Sequence, residues 1–75
     1  MRGHLQKAVL HQLHKHQHLN TRDLVAMTGS FVTTVREALA RLHRSGLLEQ
    51  SKAADRTNLY SLSEKGKNTV IAEQL

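Results

Sequence analysis

The chain has 75 residues, a formal net charge of +5 with neutral histidines, and no cysteine. A chain of this length has room for one small domain, which we expect to span residues 1–75, but not for a second domain or a deep pocket. The lack of cysteine excludes disulfide bonds, thiolate metal sites and thiol nucleophiles. No apolar segment has the length of a signal peptide or a membrane span, so we expect a cytoplasmic protein without a membrane partner.

The positive charge is concentrated in the first part of the chain. Residues 1–46 carry seven Lys and Arg against two acids, whereas residues 47–75 carry four of each. An excess of cations on one segment favours an anionic partner for that segment. A solvated basic surface is the alternative interpretation.

Two helices are predicted before the middle of the chain. Apolar residues at helical spacing predict a first helix over residues 5–16. Asn20 or Thr21 can cap a second, short helix that runs through Met27 and ends at Gly29. Two helices and a tight turn before a third amphipathic helix make a helix-turn-helix.

The third helix, over residues 31–44, is the best-defined element of the sequence. Ser30 is its expected N-cap. Gly46 is expected in the left-handed position just beyond its end, with Leu47 folded back on Leu42. Six apolar side chains share the face that we expect to point inward: Phe31, Val32, Val35, Ala38, Leu39 and Leu42.

A hairpin and a last helix are predicted after Gly46. Residues 47–51 and 58–62 are expected to form two strands, joined by the polar segment 52–57. Ser63 can cap a final helix. The apolar stripe of that helix either closes the core or contacts a second subunit in a possible homodimer; it consists of Val70, Ile71 and Leu75.

Two motifs resemble known families of regulators. VREAL at 35–39, with Gly-Leu-Leu at 46–48, resembles the recognition-helix pattern of GntR-type repressors. LYSLSEKG at 59–66 is similar to the wing and the following helix start of MarR-type regulators. The resemblance implies a winged helix-turn-helix: a mainly α fold in which a three-helix core is followed by a two-stranded β-hairpin, the wing, and a short C-terminal helix.

The resemblance also implies a function, namely transcriptional regulation through sequence-specific binding of double-stranded DNA. The helix at 31–44 would lie in the major groove, and the wing at 52–57 would lie on the adjacent minor groove or its phosphates. In GntR-type proteins, the residues that match Thr33 and Arg36 touch DNA. Nine residues are the candidate DNA-binding set: Ser30, Thr33, Thr34, Arg36, Arg41, Arg44, Arg22, Lys52 and Arg56.

The chemistry of the third helix fits this set. The Arg36 guanidinium can donate two parallel hydrogen bonds to guanine O6 and N7. The hydroxyls of Thr33 and Thr34 can bond phosphate or instead cap the helix. Glu37 can accept from cytosine N4 or pair with Arg41, four residues later on the helix. Arginines and lysines outside the base-reading position are candidate phosphate contacts.

The remaining motifs favour neither a cofactor nor catalysis. His11, His14 and His18 could share a helical face, but a closed metal site usually needs four matched ligands, so a solvated, partly cationic face is the preferred interpretation. We expect no cofactor, metal or small-molecule ligand. No nucleophile elbow, phosphate loop or metal-base motif is visible, so an enzyme is not expected.

A different class of function keeps the same fold. A winged helix can serve as a protein-protein interaction or assembly module without sequence-specific DNA binding, because fold alone does not assign function. Exposed apolar residues on the third helix would favour that alternative, whereas exposed cations and hydroxyls favour DNA.

Overall fold

The computed structural model describes residues 4–73, which form four helices and one antiparallel hairpin. The fold is the predicted winged helix-turn-helix, and the predicted element boundaries agree with it to within one residue. No helix between residues 4 and 73 is long and apolar enough to cross a membrane. In chain order the elements are α1 (His4–His16), α2 (Thr21–Thr28), α3 (Val32–Arg44), β1 (Leu48–Lys52), β2 (Asn58–Leu62) and α4 (Glu64–Glu73).

The core is built from aliphatic side chains of every helix and both strands. Helix α1 packs against α2, α3, β2 and α4, so it forms the centre of the fold. On α3, the predicted inward positions Val35, Leu39 and Leu42 are buried. Burial of one such side chain contributes about 1.5–3 kcal/mol, which fixes the rotation of α3 and therefore which of its residues face outward. The core comprises Val9, Leu10, Leu13, Leu19, Leu24, Val35, Leu39, Leu42, Leu48, Leu62 and Val70.

The N-terminal end of α3 differs from the prediction in its cap. The expectation that Ser30 caps the helix is wrong: the N-cap is Phe31, which has no polar side-chain atom and forms no capping hydrogen bond. The reason lies in the preceding turn. The Thr28 hydroxyl donates to the Leu24 carbonyl at 2.7 Å and accepts from the Ser30 N–H at 3.4 Å, so Ser30 belongs to the α2–α3 turn.

The first two apolar residues of this end also differ from the prediction. Phe31 and Val32 were expected to point into the core, but their side chains are 83% and 45% exposed. The helical period gives the direction of a side chain and does not tell whether another element covers it. Helix α2 ends at Thr28, and the described elements leave Phe31 and Val32 uncovered, whereas Val35 in the same turn is buried.

The C-terminal end of α3 is confirmed in detail. Gly46 has a φ of 81°, a left-handed conformation that glycine adopts without a steric penalty. The Gly46 N–H bonds to the His43 carbonyl, and the Leu47 N–H bonds to the Leu42 carbonyl, each at 3.0 Å. These are the two hydrogen bonds of a Schellman ending, so the chain turns sharply from α3 into β1.

The hairpin is antiparallel, with Leu48 opposite Leu62 and Gln50 opposite Tyr60. Leu19 forms an isolated antiparallel β-bridge with the hairpin. Its N–H donates to the Tyr60 carbonyl at 3.1 Å, and its carbonyl accepts the Tyr60 N–H at 2.8 Å. This bridge ties the segment between α1 and α2 to the hairpin. The hairpin is therefore held to the helical part of the fold by backbone bonds at Leu19 as well as by apolar packing.

The loop of the hairpin has a defined turn that the sequence did not predict. The Ala53 N–H bonds to the Thr57 carbonyl, and the Arg56 N–H bonds to the Ala53 carbonyl, each at 2.9 Å. Arg56 has a φ of 70°. With Ala53 and Thr57 paired, residues 54–56 form a three-residue loop. Its last residue, Arg56, has the left-handed conformation that glycine usually adopts at this position. The Asp55 carboxylate supports it by accepting the Thr57 N–H at 3.1 Å.

Helix α4 begins at Ser63, whose capping role is confirmed: its Oγ accepts the Gly66 N–H at 3.1 Å. The same hydroxyl donates to the Gly46 carbonyl at 2.6 Å. The Lys65 ammonium donates to the Ser45 carbonyl at 3.1 Å. The start of α4 thus holds the turn that ends α3. We call residues 45–47 together with 63–66 the closing junction.

Gly66 allows the closing junction to pack this tightly. A Cβ atom added at Gly66 would overlap the carbonyl oxygen of Leu47 and would lie 3.2 Å from a methyl carbon of Leu62. The Leu47 carbonyl is itself held, because it accepts the Ser63 N–H at 3.0 Å. Only a residue without a side chain fits between α4 and this backbone.

The C-terminal stripe is only partly available to a partner. Val70 is 3% exposed and belongs to the core, so at this position the stripe closes the core, which is the first of the two expected alternatives. The neighbouring Ile71 is 61% exposed. Leu75, the third residue of the stripe, lies outside the described residues.

Candidate nucleic-acid interface

Helix α3 presents a polar outer face opposite its buried stripe. Its exposed side chains include hydroxyls, three guanidinium groups, one imidazole and one small residue. Glu37 is the single acid among the described residues of this helix. The exposed residues of this face are Thr33, Thr34, Arg36, Glu37, Ala40, Arg41, His43 and Arg44.

The wing side of α3 borders a cleft against the hairpin, which we call the α3–wing cleft. It encloses about 590 Å³ and brings Arg36 and Arg44 to the strands of the wing. None of the described residues that line it is acidic. The lining residues are Thr21, Arg36, Leu39, Ala40, His43, Arg44, Gln50, Asn58 and Tyr60.

The other side of α3 faces α1. Thr34, Glu37 and Arg41 border a separate surface depression together with Leu5 and Gln6 of α1. The structure therefore divides the predicted set: Arg36 and Arg44 lie beside the wing, whereas Thr34 and Arg41 lie on the opposite flank. Thr33 lies between these two flanks at the outermost part of the helix surface.

The predicted cations of α2 and of the wing lie around the hairpin loop. Arg22, in the first turn of α2, borders a groove that Asp55 and Thr57 also line. Lys52 ends β1, and Arg56 stands at the loop; both side chains are exposed. Arg22 and the loop therefore lie on the same side of the fold.

Ser30 takes a different position from the one expected. It is half-buried, and its N–H is bonded to Thr28 within the α2–α3 turn. Because the Phe31 side chain has no acceptor atom, the first N–H groups of α3 donate no hydrogen bond to an N-cap side chain. Unbonded N–H groups at a helix start attract anions.

The sequence prediction missed three residues of the hairpin that line the α3–wing cleft, namely Gln50, Asn58 and Tyr60. Strand alternation could have found them. The core residues Leu48 and Leu62 are paired, and residues two or four positions away lie on the same face of the hairpin. Asn58 also has a buried side-chain oxygen without a hydrogen-bond partner.

The loop aspartate has a perturbed acidity. Hydrogen bonds from Thr57, through its side chain and then its backbone N–H, hold the pKa of Asp55 below its ordinary value of 3.8. Both bonds favour the ionised carboxylate. Asp55 is therefore an anion that shapes the loop at neutral pH.

The histidine cluster does not continue along one helix. Helix α1 ends at His16, and Gln17 is left-handed with a φ of 68°. His18 therefore leaves the helical face that carries His11 and His14. Among the side chains of residues 4–72, no three His, Asp or Glu are arranged to hold a metal ion.

A protein-family model matches most of this fold. The model described as PaaX-like protein matches residues 10–66, from α1 to the start of α4. The chain belongs to the PaaX-like family. The matched residues of this PaaX-like chain include all of α2, α3 and the hairpin.

Solved structures of transcriptional regulators superpose on the PaaX-like chain. ZitR of Lactococcus lactis, in its apo form, is 26% identical, with a TM-score of 0.85 over 91% of this chain and 52% of ZitR. BpsR of Bordetella bronchiseptica is 28% identical, with a TM-score of 0.87 over 95% of this chain and 52% of BpsR. MepR of Staphylococcus aureus is 25% identical, with a TM-score of 0.84 over 92% of this chain and 53% of MepR.

These solved structures are of regulator proteins. MepR is a transcription regulator of the multidrug efflux pump MepA, and the DNA binding of BpsR is regulated by 6-hydroxynicotinic acid. The PaaX-like chain is homologous to transcriptional regulators with winged-helix DNA-binding domains, and it spans about half the length of these solved chains. No curated protein matches the chain by sequence.

Proposed function

We propose that residues 1–75 form a DNA-binding domain that recognises a specific sequence in double-stranded DNA and regulates transcription. The observation that carries the proposal is the α3–wing cleft. It joins Arg36, His43 and Arg44 to Gln50, Asn58 and Tyr60 of the hairpin, and its described lining contains no acid. A surface of this charge attracts the phosphates of a duplex.

The dimensions of α3 suit the major groove. Its 13 residues are about 20 Å long at the usual rise of an α-helix. The major groove is about 12 Å wide and admits one helix. Ala40 carries only a methyl group on the exposed face, so the helix axis can approach the base edges closely.

The residues divide into base-reading and phosphate-binding roles. Arg36 is the proposed reader of guanine, because a guanidinium can donate to O6 and N7 at once. Arg44, Arg22 and Arg56 are proposed to bind phosphate, since they surround the same side of the fold. The remaining proposed DNA contacts are Thr33, Thr34, Arg41, Lys52 and the backbone of Ser30.

Cooperation between protomers fits the small number of contacts. If one protomer neutralises about four phosphates, the logarithm of its affinity falls with the logarithm of salt concentration at a slope of about −3.6. A single domain with this slope binds weakly in physiological salt. We therefore propose that a homodimer, with Ile71 as a contact, doubles the slope and reads an inverted repeat.

The proposal is tested by selection from random duplexes at several salt concentrations, with the bound fraction sequenced. The wild type is compared with Arg36→Ala and with Lys67→Ala. Lys67 is an exposed cation of α4 that borders a depression with Glu49 and Ser61, on the other face of the hairpin. Both variants lower the net charge by one. A difference between them therefore reports where the charge lies and not how much charge the protein carries.

We expect the wild type and Lys67→Ala to enrich the same motif and Arg36→Ala to lose one guanine from it. Loss of one bidentate contact lowers discrimination at that base pair by about 1–3 kcal/mol. An unselective, salt-sensitive interaction that both variants weaken equally would contradict the proposal and favour the protein-docking alternative.

A further inference from the structure

The least expected surface of the molecule lies at the start of α3. Phe31 is 83% exposed and Val32 is 45% exposed, and Met27 of α2 adds a third exposed apolar side chain beside the same turn. Phe31 is the only phenylalanine of the chain. We call these three exposed apolar residues, at the end of α2 and the start of α3, the α3 apolar tip.

The α3 apolar tip is continuous with the proposed DNA surface. Val32 precedes Arg36 by four residues, so the two side chains are neighbours along one side of the helix. Thr33 and Thr34 follow immediately and are exposed. No acidic residue occurs in the first turn of α3. The tip is therefore bordered by cations and hydroxyls, which suit a polyanion.

The occupant we infer is the methyl edge of a base pair. Thymine presents its C5-methyl group in the major groove, next to the O4 acceptor, and phenylalanine and other apolar side chains make contact with it. In a helix-turn-helix, the N-terminal residues of the recognition helix reach the base edges. Phe31 and Val32 occupy that end of α3.

We propose that Phe31, supported by Val32, is a specificity-determining residue that selects thymine by contact with its C5-methyl group. The inference rests on the proposed DNA-binding function and adds a second base to the one that Arg36 reads. Removal of a single methyl group from such a contact lowers affinity about fourfold. This factor corresponds to the transfer free energy of one buried methylene group.

The experiment replaces each thymine of the selected duplex, one at a time, with uracil. Uracil lacks only the C5-methyl group and keeps every hydrogen-bonding group of thymine. Binding is measured for the wild type, Phe31→Ala, Phe31→Leu and Asn68→Ala. Asn68→Ala is the control, because it shortens an exposed, uncharged side chain of α4 that has no part in the proposed DNA or dimer contacts.

We expect the wild type and Asn68→Ala to lose affinity about fourfold at one or two uracil positions. Phe31→Ala should bind thymine and uracil equally there, and Phe31→Leu should retain part of the difference. A Phe31→Ala variant that keeps the full thymine preference overturns the inference, as does a selected motif without thymine at these positions.

The outcomes also separate the two proposals. If the wild type enriches a motif that Arg36→Ala alters, and Phe31→Ala leaves its affinity and thymine preference unchanged, the regulator proposal stands and the α3 apolar tip is left to a protein partner. If the wild type enriches no motif, both proposals fail. Circular dichroism confirms folding of each variant before binding is measured.

Discussion

The two ends of α3 are built in opposite ways. The C-terminal end is closed: Gly46 and Leu47 complete the helix, and Ser63 and Lys65 of α4 bond to the turn that follows. The N-terminal end is open: the N-cap residue Phe31 has a side chain that cannot form a capping hydrogen bond and that lies largely in solvent. In the account proposed here, the closed end of α3 serves stability and the open end serves recognition.

The largest stability effect is expected at the closing junction, for Gly66→Ala. The added methyl group would overlap the Leu47 carbonyl, which cannot move without breaking its bond to Ser63. We expect a loss of about 3 kcal/mol in the free energy of unfolding, measured by urea denaturation. Asn68→Ala, an exposed change on the same helix, is the control. Equal stability of the two variants would contradict the tight packing.

The second effect is expected for Ser63→Ala. This change removes the cap of α4 and the hydrogen bond to the Gly46 carbonyl together. We expect a loss of about 1–2 kcal/mol in the free energy of unfolding. Ser51→Ala, which changes an exposed serine of β1, should be neutral. If both serine variants unfold at the same urea concentration, the closing junction does not depend on Ser63.

A smaller effect is expected in the hairpin loop when the pH falls. The pKa of Asp55 is held below 3.8 by Thr57, so the ionised carboxylate supports the loop above that pH and loses this role as the pH falls through the folded pKa. The amide shift of Thr57, followed by NMR, should change in this range. Asp55→Asn keeps an acceptor oxygen and should abolish the pH dependence; a dependence that persists assigns it to another group.

The smallest stability effect is expected for Phe31→Ala. Because the side chain is mostly in solvent and packs on no described core residue, the free energy of unfolding should change by less than about 0.5 kcal/mol. Urea denaturation of wild type and variant measures the difference. A loss of 2 kcal/mol or more would show that the N-terminal end is packed, and it would remove the contrast between the two ends.

The sequence predicted the features that rest on local chemistry. Gly46 and the apolar period of α3 determined how the helix ends and which side is buried, because both depend on neighbouring residues of the chain. The same holds for the hairpin, since its strands alternate and are bounded by polar residues. These predictions were confirmed.

The features it missed depend on contacts between distant segments. The exposure of Phe31 follows from where α2 stops. For Val70 the sequence left core burial and a subunit contact open, and the packing of α4 on α1 decides for the core. Ser30 donates its N–H to the Thr28 hydroxyl and so belongs to the turn instead of capping α3. A capping rule that considers one residue does not include such a neighbouring acceptor. The cleft residues of the hairpin were overlooked although strand alternation places them on the face of Leu48 and Leu62.

The most direct test of the central claim is an NMR titration of the ¹⁵N-labelled chain with the selected duplex. The account predicts that the amide shifts of Phe31, Arg36 and the loop at 53–57 change most, while those of α4 around Lys67 stay constant. Shift changes centred on α4 and on the His14 end of α1, with α3 unaffected, would contradict it, because DNA would then bind the opposite side of the fold.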